Sequence, residues 1–287
     1  MLLFYNRKFC LLFLPTIAIL FWQIFNFYSF DHLIYNNLNY NKSHIAGLIL
    51  ARGGSKGVKN KNLAKFNNTT LLGNSLKTII DFGKFNSIWV STDSDEIVAE
   101  AKKFNVNVHL RAAYTATDDA PSLLAIQEFI QKHPDIDIIA LIQCTSPFLR
   151  KEYLEKAVSL LKKGYHSVFS VSRQFKLRWK ISTGGWETET KILADNFLPE
   201  KRPRRQDWDG ELYENGMFYF SYSKLIWTHG ILQSGRIAVV EVPTNDSLEI
   251  DSPSDLVVAN AMTLCGITSC LNNQWTSQEA ICAEEST

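Results

Sequence analysis

Strand-like and helix-like patterns alternate along most of this chain, and this alternation constrains the fold more than any other feature. From residue 44 onward, short apolar runs of strand length are separated by longer segments with a helical period. The strand-like runs cover 44–51, 87–92, 106–110, 137–143, 167–172, 216–221 and 236–242, and the helical segments cover 70–84, 94–104, 121–133, 151–163 and 253–264. This spacing predicts an α/β fold with a mainly parallel central sheet.

Polar side chains follow each of the first four predicted strands. Arg52, Asp93, Arg111 and Gln143 come directly after these runs. Ligands of open α/β sheets bind outside the carboxyl ends of the strands. The sequence therefore predicts a ligand site at this edge of the sheet, with a surface position for Arg111 as the alternative.

The loop after the first strand is typical of an anion-binding loop. It has the sequence ARGGSKG over 51–57, and Arg52, Lys56 and Lys61 supply three cations. Glycines allow backbone amides to approach a phosphate closely because no Cβ intervenes. The loop matches neither the GxxxxGK[ST] pattern nor the GxGxxG pattern. A purely structural turn remains the alternative.

A second unusual segment, RPRRQDWDGELYENGMFYF, spans residues 202–220. It mixes cations, acids, aromatic residues and amides, which makes a poor core and suits a pocket for an acidic, hydroxyl-rich substrate. Arginine grips a carboxylate with two parallel hydrogen bonds. A solvated basic patch or a nuclear-import signal is the plainer interpretation of such a run.

Several motifs together resemble the CMP-sialic acid synthetases, also called N-acylneuraminate cytidylyltransferases. The likeness covers about 45–262 and is densest at LARGGSKG, at WVSTDSDEI (89–97), QCTSP (143–147), SVFSV (167–171) and KRPRRQDWDGELYENG (201–216). The last of these is close to the animal members. The resemblance implies a Rossmann-like nucleotidyltransferase fold over 44–264, in which CTP and sialic acid give CMP-sialic acid and pyrophosphate.

The resemblance also implies roles for individual residues. On this basis the CTP-binding residues are Arg52, Lys56, Lys61, Asn62, Arg111, Ala120, Ser122 and Thr145, and the sialic acid-binding residues are Gln143, Arg202, Arg205, Gln206 and Tyr213. The catalytic residues are then Arg52, Lys61, Gln143 and Asp251. Arg52 and Lys61 are expected to stabilise the leaving pyrophosphate. Two plainer interpretations stay open, a turn at Thr145 and a core position for Tyr213.

The predicted metal site departs from the family pattern. The family holds magnesium with two aspartates one residue apart, and the matching pair here is Glu249 and Asp251. Carboxylate oxygens suit Mg²⁺, and side chains at i and i+2 of an extended segment point to the same side. Because glutamate is one methylene longer than aspartate, Mn²⁺ is the alternative cofactor.

The segment 173–200 breaks the alternation and is interpreted as an insertion. In the resembled family a comparable insertion forms a dimerisation lobe that reaches toward the neighbour's active site. The resemblance therefore predicts a homodimer or homotetramer. The net charge of +1 gives no overall indication of nucleic acid binding, and the basic character is local, as expected for an enzyme with two anionic substrates.

The N-terminus predicts a membrane segment. Cys10 to Phe25 is almost wholly apolar, and Arg7 and Lys8 precede it. We interpret residues 1–30 as a signal anchor, 31–43 as a polar stem and 265–287 as a C-terminal tail, with a cleaved signal peptide as the alternative for 1–30. This predicts a single-pass protein of the Golgi or endoplasmic reticulum membrane with a lumenal catalytic domain.

Three other functions remain open on the sequence alone. One is the activation of a related 2-keto acid sugar, such as deaminated sialic acid. A second is a lumenal glycosyltransferase that uses Asp93-Ser94-Asp95 to hold a metal. The third is a non-catalytic homologue, for which the departure at Glu249 is the support.

Overall fold

The structure is a computed structural model that describes Tyr35 and residues 38–55, 57–183 and 190–264. The predicted anchor over 1–30, the beginning of the stem, Lys56 and the predicted tail over 265–287 lie outside the described residues.

A seven-stranded sheet forms the centre of the fold. The strands of the protein are β1 Ile45–Leu50, β2 Lys65–Phe66, β3 Thr69–Thr70, β4 Ser87–Thr92, β5 Asn107–Leu110, β6 Ile138–Ile142, β7 Ser167–Gln174, β8 Trp179–Thr183, β9 Thr190–Ala194, β10 Glu211–Tyr222 and β11 Ile237–Glu241. The sheet order is β11-β7-β10-β6-β1-β4-β5, while β2 pairs with β3 and β8 pairs with β9 in separate hairpins.

Six of the seven strands in the central sheet run in the same direction. The pairs β1–β4, β1–β6, β4–β5 and β11–β7 are parallel, whereas β10 is antiparallel to both β6 and β7. The prediction of an α/β fold with a mainly parallel sheet is confirmed. In this arrangement β1, β4, β5 and β6 end at the same edge of the sheet.

Helices cover both faces of the sheet. They are α1 Leu71–Phe82, α2 Asp95–Lys102, α3 Ser122–Lys132, α4 Lys151–Lys162, α5 Ser223–His229 and α6 Pro253–Leu264. Alternate side chains of β1 enter different cores, as expected for a strand buried on both faces. Ile45 and Ile49 pack in the cluster that contains Leu76 of α1 and Leu154 of α4, while Ala46 and Leu48 pack with Phe129 of α3.

A third apolar cluster joins the first loop to the acidic segment near the C-terminal end of the described chain. Val58 and Phe66 are buried together with Phe148, Ile250 and Ala259. Helix α6 begins here, where the Ser252 hydroxyl accepts a hydrogen bond from the backbone N–H of Asp255. The Asp255 carboxylate in turn accepts hydrogen bonds from the backbone N–H groups of Asp251 and Ser252. This reciprocal cap fixes the direction in which the chain leaves Asp251.

The segment that breaks the alternation forms the hairpin of β8 and β9. Its strands pair from Trp179 with Ala194 to Thr183 with Thr190, and residues 184–189 between them lie outside the described residues. Trp179, Ile181 and Ile192 are more than half exposed. The hairpin is therefore an apolar surface feature beside the central sheet.

The predicted Golgi or endoplasmic reticulum membrane location is corrected by the structure. Within the described ranges, no helix is long and apolar enough to span a bilayer. The longest described helices have 12 residues, and a span needs about 20 apolar residues.

Candidate functional site

A cavity of about 400 Å³ opens at the edge where β1, β4, β5 and β6 end. It lies where the loops after these strands approach the segment that precedes α6. Its lining consists of Leu50, Arg52, Ser55, Gly57, Lys61, Asn62, Arg111, Thr115, Ala120, Ser122, Gln143, Cys144, Thr145, Glu249 and Asp251. Ten of the site residues predicted from the sequence line this cavity. The cavity therefore lies at the edge of the sheet where the sequence predicted a ligand site.

Two cations that line the cavity, Arg52 and Lys61, are each paired with a carboxylate. The Arg52 guanidinium is ion-paired with Asp118. The Lys61 ammonium lies 3.1 Å from the Asp251 carboxylate, and the Lys61 side chain is only 20% exposed. A charge that is this far removed from water gains more from an anionic partner than a surface lysine does.

Backbone contacts of two glycines shape the first loop. The N–H of Gly53 donates to the Asp93 carboxylate at 2.9 Å. A Cβ on Gly57 would lie 2.6 Å from the carbonyl oxygen of Asp251, so only glycine allows this close approach. Asp93 thus organises the loop, while Asp95 begins α2. These positions give no support to Asp93-Ser94-Asp95 as a metal-binding triad.

Arg111 forms the wall of the cavity nearest α3. It is 9% exposed, which excludes the alternative of a surface position. Its Nε donates to the Thr115 hydroxyl at 3.1 Å, and its Nη2 donates to the Thr115 carbonyl. Burial lowers the pKa of Arg111, and nearby Arg52 also lowers it, while Asp93 and Glu128 act in the opposite direction. The guanidinium is therefore a fixed cation at the cavity wall.

The QCTSP motif connects the sheet to the acidic segment. The backbone N–H of Gln143 donates to the Met217 carbonyl at 3.0 Å, and the Thr145 carbonyl accepts from the N–H of Ile250 at 2.8 Å. The Thr145 hydroxyl donates to the Glu249 carboxylate at 3.3 Å. Thr145 also lies in a turn, which the N–H of Ser146 closes by donating to the Gln143 carbonyl at 3.2 Å.

The acidic pair Glu249 and Asp251 flanks a buried residue. Ile250 is fully buried, so the carboxylates on either side of it are both directed to the cavity. Burial raises the pKa of Glu249, and the neighbouring Asp251 raises it further, whereas Thr145 and Lys61 lower it. Gly216 has a φ of +74° and faces Glu249, and a Cβ there would lie 3.4 Å from the carboxylate oxygen.

The donor chemistry of this pair fits a hard divalent cation. Two carboxylates are as many protein ligands as Mg²⁺ commonly takes when it also binds substrate phosphates. Among the described residues there is no group of three or more His, Cys, Asp and Glu that could hold a metal by itself. Any cation at this position would therefore depend on ligands from the substrate.

The four residues predicted to bind only the acidic sugar do not line the cavity. Arg202, Arg205 and Gln206 are exposed, and Tyr213 is half-buried on β10. The Arg205 guanidinium lies over the ring of Phe175, with 4.9 Å from its central carbon to the ring centroid. Within the described part of one chain, the residues predicted to bind the nucleotide lie together at the cavity, apart from the undescribed Lys56. The four residues predicted to bind only the sugar lie outside this cavity.

Some of the cavity residues were not predicted from the sequence. Leu50, Ser55, Gly57, Thr115 and Cys144 also line it, and the ion pair of Asp118 with Arg52 was not predicted either. Cys144 lies inside QCTSP and Gly57 ends ARGGSKG, so both were within motifs that the sequence singled out. Thr115 and Asp118 lie in a loop of ordinary composition and gave no signal.

Comparison with known proteins gives independent evidence on the family to which this chain belongs. A sequence model described as Cytidylyltransferase matches residues 46–271 of the chain. The chain is 43% identical over 222 residues to N-acylneuraminate cytidylyltransferase A of Danio rerio, an alignment that covers 77% of this chain and 51% of that protein. N-acylneuraminate cytidylyltransferase of Oncorhynchus mykiss is 43% identical over 224 residues, which cover 78% and 51% respectively. The chain spans about half the length of these curated relatives.

Solved structures share the fold at low sequence identity. CMP:2-keto-3-deoxy-manno-octonic acid synthetase, complexed with CTP, superposes with a TM-score of 0.59 at 15% identity and covers 77% of this chain and 99% of its own. 4-Diphosphocytidyl-2C-methyl-D-erythritol synthase of Anaerococcus prevotii gives a TM-score of 0.58 at 15% identity, covering 78% and 98%. The predicted Rossmann-like fold is confirmed.

Proposed function

We propose a function on the premise that this chain belongs to the cytidylyltransferase family: it activates sialic acid with CTP, giving CMP-N-acetylneuraminate and pyrophosphate. The identity of 43% to vertebrate N-acylneuraminate cytidylyltransferases supports this choice of substrates. The single observation that carries it is the one cavity that Arg52, Lys61, Glu249 and Asp251 line together, with the Lys61 ammonium 3.1 Å from the Asp251 carboxylate.

The cavity divides into parts that suit the parts of a nucleoside triphosphate. Arg52 and Lys61 neutralise the phosphates, and Asn62 contacts the sugar-phosphate. Lys56, which lies outside the described residues, is proposed as a third phosphate-binding cation from the sequence alone. Arg111, Ala120 and Ser122 form the wall that receives the cytosine. The volume of about 400 Å³ is sufficient for a nucleotide.

Glu249 and Asp251 would hold the divalent cation, with Mg²⁺ proposed as the cofactor and Mn²⁺ as the substitute. When bound, such a cation neutralises phosphate charge during the transfer. In the arrangement described, Lys61 contacts Asp251 at 3.1 Å. Lys61 therefore exchanges this partner for phosphate oxygens when CTP enters, which leaves the Asp251 carboxylate available to the cation.

The reaction is a displacement at the α-phosphorus of CTP. The anomeric hydroxyl oxygen of sialic acid forms a bond to this phosphorus, and the bond to the oxygen that bridges the α- and β-phosphates breaks. Pyrophosphate leaves with that oxygen, and the hydroxyl proton passes to the solvent. Positioning and charge neutralisation supply most of the catalysis in such transfers. Arg52 and Lys61 stabilise the charge on pyrophosphate, and Gln143 and Thr145 lie between the two substrates.

The residues for the acidic sugar come to the cavity from a second subunit. Arg202, Arg205, Gln206 and Tyr213 follow the hairpin of β8 and β9, and they do not line the cavity of their own chain. The hairpin exposes Trp179, Ile181 and Ile192, which a subunit interface would cover. A homodimer in which each hairpin reaches the partner's cavity brings the two sets together, with a homotetramer as the larger assembly.

Another similar protein supports a second class of acceptor sugar as the alternative. Pseudaminic acid cytidylyltransferase of Campylobacter jejuni is 26% identical over 220 residues, which cover 75% of this chain. A related nine- or eight-carbon 2-keto acid, deaminated sialic acid among them, is therefore the alternative acceptor.

Release of pyrophosphate tests this function. The purified full chain is incubated with CTP, Mg²⁺ and one acidic sugar at a time: N-acetylneuraminic acid, deaminated sialic acid, pseudaminic acid or 2-keto-3-deoxyoctonic acid. We expect the highest kcat/KM with N-acetylneuraminic acid. A higher value with another of these sugars selects the alternative acceptor, and no pyrophosphate with any of them contradicts the function.

A further inference from the structure

A buried hydrogen-bonded bridge connects two loops of the cavity. The thiol of Cys144 donates to Oδ1 of Asn62 at 3.0 Å, and Nδ2 of Asn62 donates to the carbonyl of Arg52 at 2.9 Å. Cys144 is 2% exposed and Asn62 is 7% exposed. Both ends of one amide are thus engaged inside the protein, which fixes the rotation of the Asn62 side chain.

The bridge links the cationic side of the cavity to the acidic side. Asn62 belongs to the short helix Lys61–Leu63 and is adjacent to Lys61. Cys144 is adjacent to Thr145, whose carbonyl accepts from the N–H of Ile250 and whose hydroxyl donates to Glu249. One continuous set of contacts therefore runs from the carbonyl of Arg52 to the acidic pair.

We propose that Cys144 is a positioning residue for CTP binding, which holds the Asn62 amide and the first loop at a fixed separation from the acidic pair. The inference rests on the function proposed above. It assigns Cys144 a role that requires no contact with the sugar and no chemical reactivity of the thiol.

The chemistry of the thiol is consistent with this role. Burial raises the pKa of Cys144 to about 12, so the group remains a protonated donor at neutral pH. The apolar cluster that contains Cys144 also contains Ile142 and Leu149. Without the thiol donor, Oδ1 of Asn62 would lose this hydrogen bond, and only the bond from Nδ2 to the Arg52 carbonyl would still hold the amide.

The test compares Cys144→Ala with Cys144→Ser. Loss of one buried hydrogen-bond donor changes a dissociation constant by a factor of about two to ten. We expect Cys144→Ala to raise the Kd of CTP by about this factor in calorimetry without sugar, and to leave the KM of the acidic sugar unchanged. Cys144→Ser keeps a donor and is expected to bind CTP within about twofold of the wild type.

Val168→Ala is the matched control, since Val168 is a fully buried strand residue of the same apolar cluster. It removes core volume without touching the bridge, so a lower Tm with an unchanged CTP Kd is expected. The inference is overturned if Cys144→Ala binds CTP as the wild type does, or if Cys144→Ser binds as weakly as Cys144→Ala. It is also overturned if Val168→Ala weakens CTP binding equally. Because CTP binding is measured without turnover, an inactive wild type would contradict the proposed function separately.

Discussion

At the scale of single residues, the exchange of partners at Asp251 is central to the proposed chemistry. Its carboxylate contacts Lys61 in the arrangement described and is 70% exposed at the cavity. Glu249 is also exposed as a residue, but burial of its carboxyl group and the neighbouring Asp251 raise the pKa of Glu249. The two acids are therefore not equivalent, and Asp251 is the one that is readily available to a cation.

Asp251→Ala should consequently abolish catalysis without unfolding the protein. Removal of a group that stabilises the charge of the transition state costs about 100- to 1000-fold in kcat, and excess Mg²⁺ should not restore the rate. Pyrophosphate release measures the effect, with Asp135→Ala as the control, since Asp135 is an exposed acid outside the cavity. Full activity of Asp251→Ala would remove this residue from the metal site.

A histidine outside the site is expected to make stability depend on pH. Nδ1 of His166 accepts a hydrogen bond from the backbone N–H of Arg236 at 3.1 Å, and its ring stacks on Tyr35. Burial and nearby Arg236 lower the pKa of His166 below its ordinary value. The unfolded chain therefore binds the proton first as the pH falls below about 6.5, and the free energy of unfolding decreases.

His166→Asn should weaken this dependence, because the amide oxygen can accept the same hydrogen bond but does not titrate. Denaturant unfolding at pH 7.5 and pH 5.5 measures the difference. We expect the wild type to lose more stability between the two values than the variant does. An equal loss in both proteins would show that His166 contributes nothing to the pH dependence.

At the scale of elements, the first loop and the segment before α6 are in direct backbone contact. Gly57 permits this contact, since a Cβ there would meet the Asp251 carbonyl at 2.6 Å. Gly54 is in the same loop, but a Cβ there would meet nothing within 4 Å. Gly57 is therefore the position to substitute, and Gly54 in the same loop provides the matched control.

Gly57→Ala is expected to lower both activity and stability, whereas Gly54→Ala leaves both close to the wild type. Forcing extra volume into a packed contact costs about 1–3 kcal/mol, and the displaced segment carries Asp251. Thermal unfolding and pyrophosphate release measure the two effects. Equal behaviour of the two variants would mean that the loop accommodates a Cβ at Gly57 by moving.

Periodicity predicted most of these elements because their signals are local. The runs at 44–51 and 137–143 became β1 and β6, and all five predicted helices are present within about two residues of their ends. Helix α5 was missed because its seven residues are too short to show a helical period. Strand β10 was predicted only over 216–221, since its first half contains charged residues that pair at the surface with β7.

The sequence predicted those parts of the site whose positions follow from the topology of the sheet. Residues that follow parallel strands must meet at one edge, so Arg52, Arg111 and Gln143 could be placed together. Contacts between segments distant in sequence could not be foreseen. The bond of Cys144 to Asn62 spans 82 positions, and nothing in the local pattern of either residue indicates it.

At the scale of the whole molecule, we propose that two subunits together complete each active site. The nucleotide residues line the cavity, and Arg205 does not. The exposed apolar hairpin of β8 and β9 supplies a surface for association. Arg205→Ala is thus expected to raise the KM of sialic acid far more than that of CTP, because we propose that the Arg205 guanidinium binds the sugar carboxylate through two hydrogen bonds.

Complementation between two inactive variants tests the shared site. Arg205→Ala and Asp251→Ala are co-expressed with different tags and the mixed dimer is assayed. If Arg205 of one subunit serves the cavity of the other, one of the two sites in each mixed dimer is intact, and the isolated mixed dimer recovers about half of the wild-type activity. No recovery in an isolated mixed dimer would place both residues in sites of one chain.

The central claim is that this cavity transfers the cytidylyl group to sialic acid. The most direct measurement is pyrophosphate release by the full chain with N-acetylneuraminic acid and Mg²⁺, comparing CTP with ATP, GTP and UTP, and wild type with Asp251→Ala. We expect turnover with CTP in the wild type, little turnover with the other nucleotides, and none in Asp251→Ala. Turnover that is equal among the nucleotides, or that persists in Asp251→Ala, would contradict it.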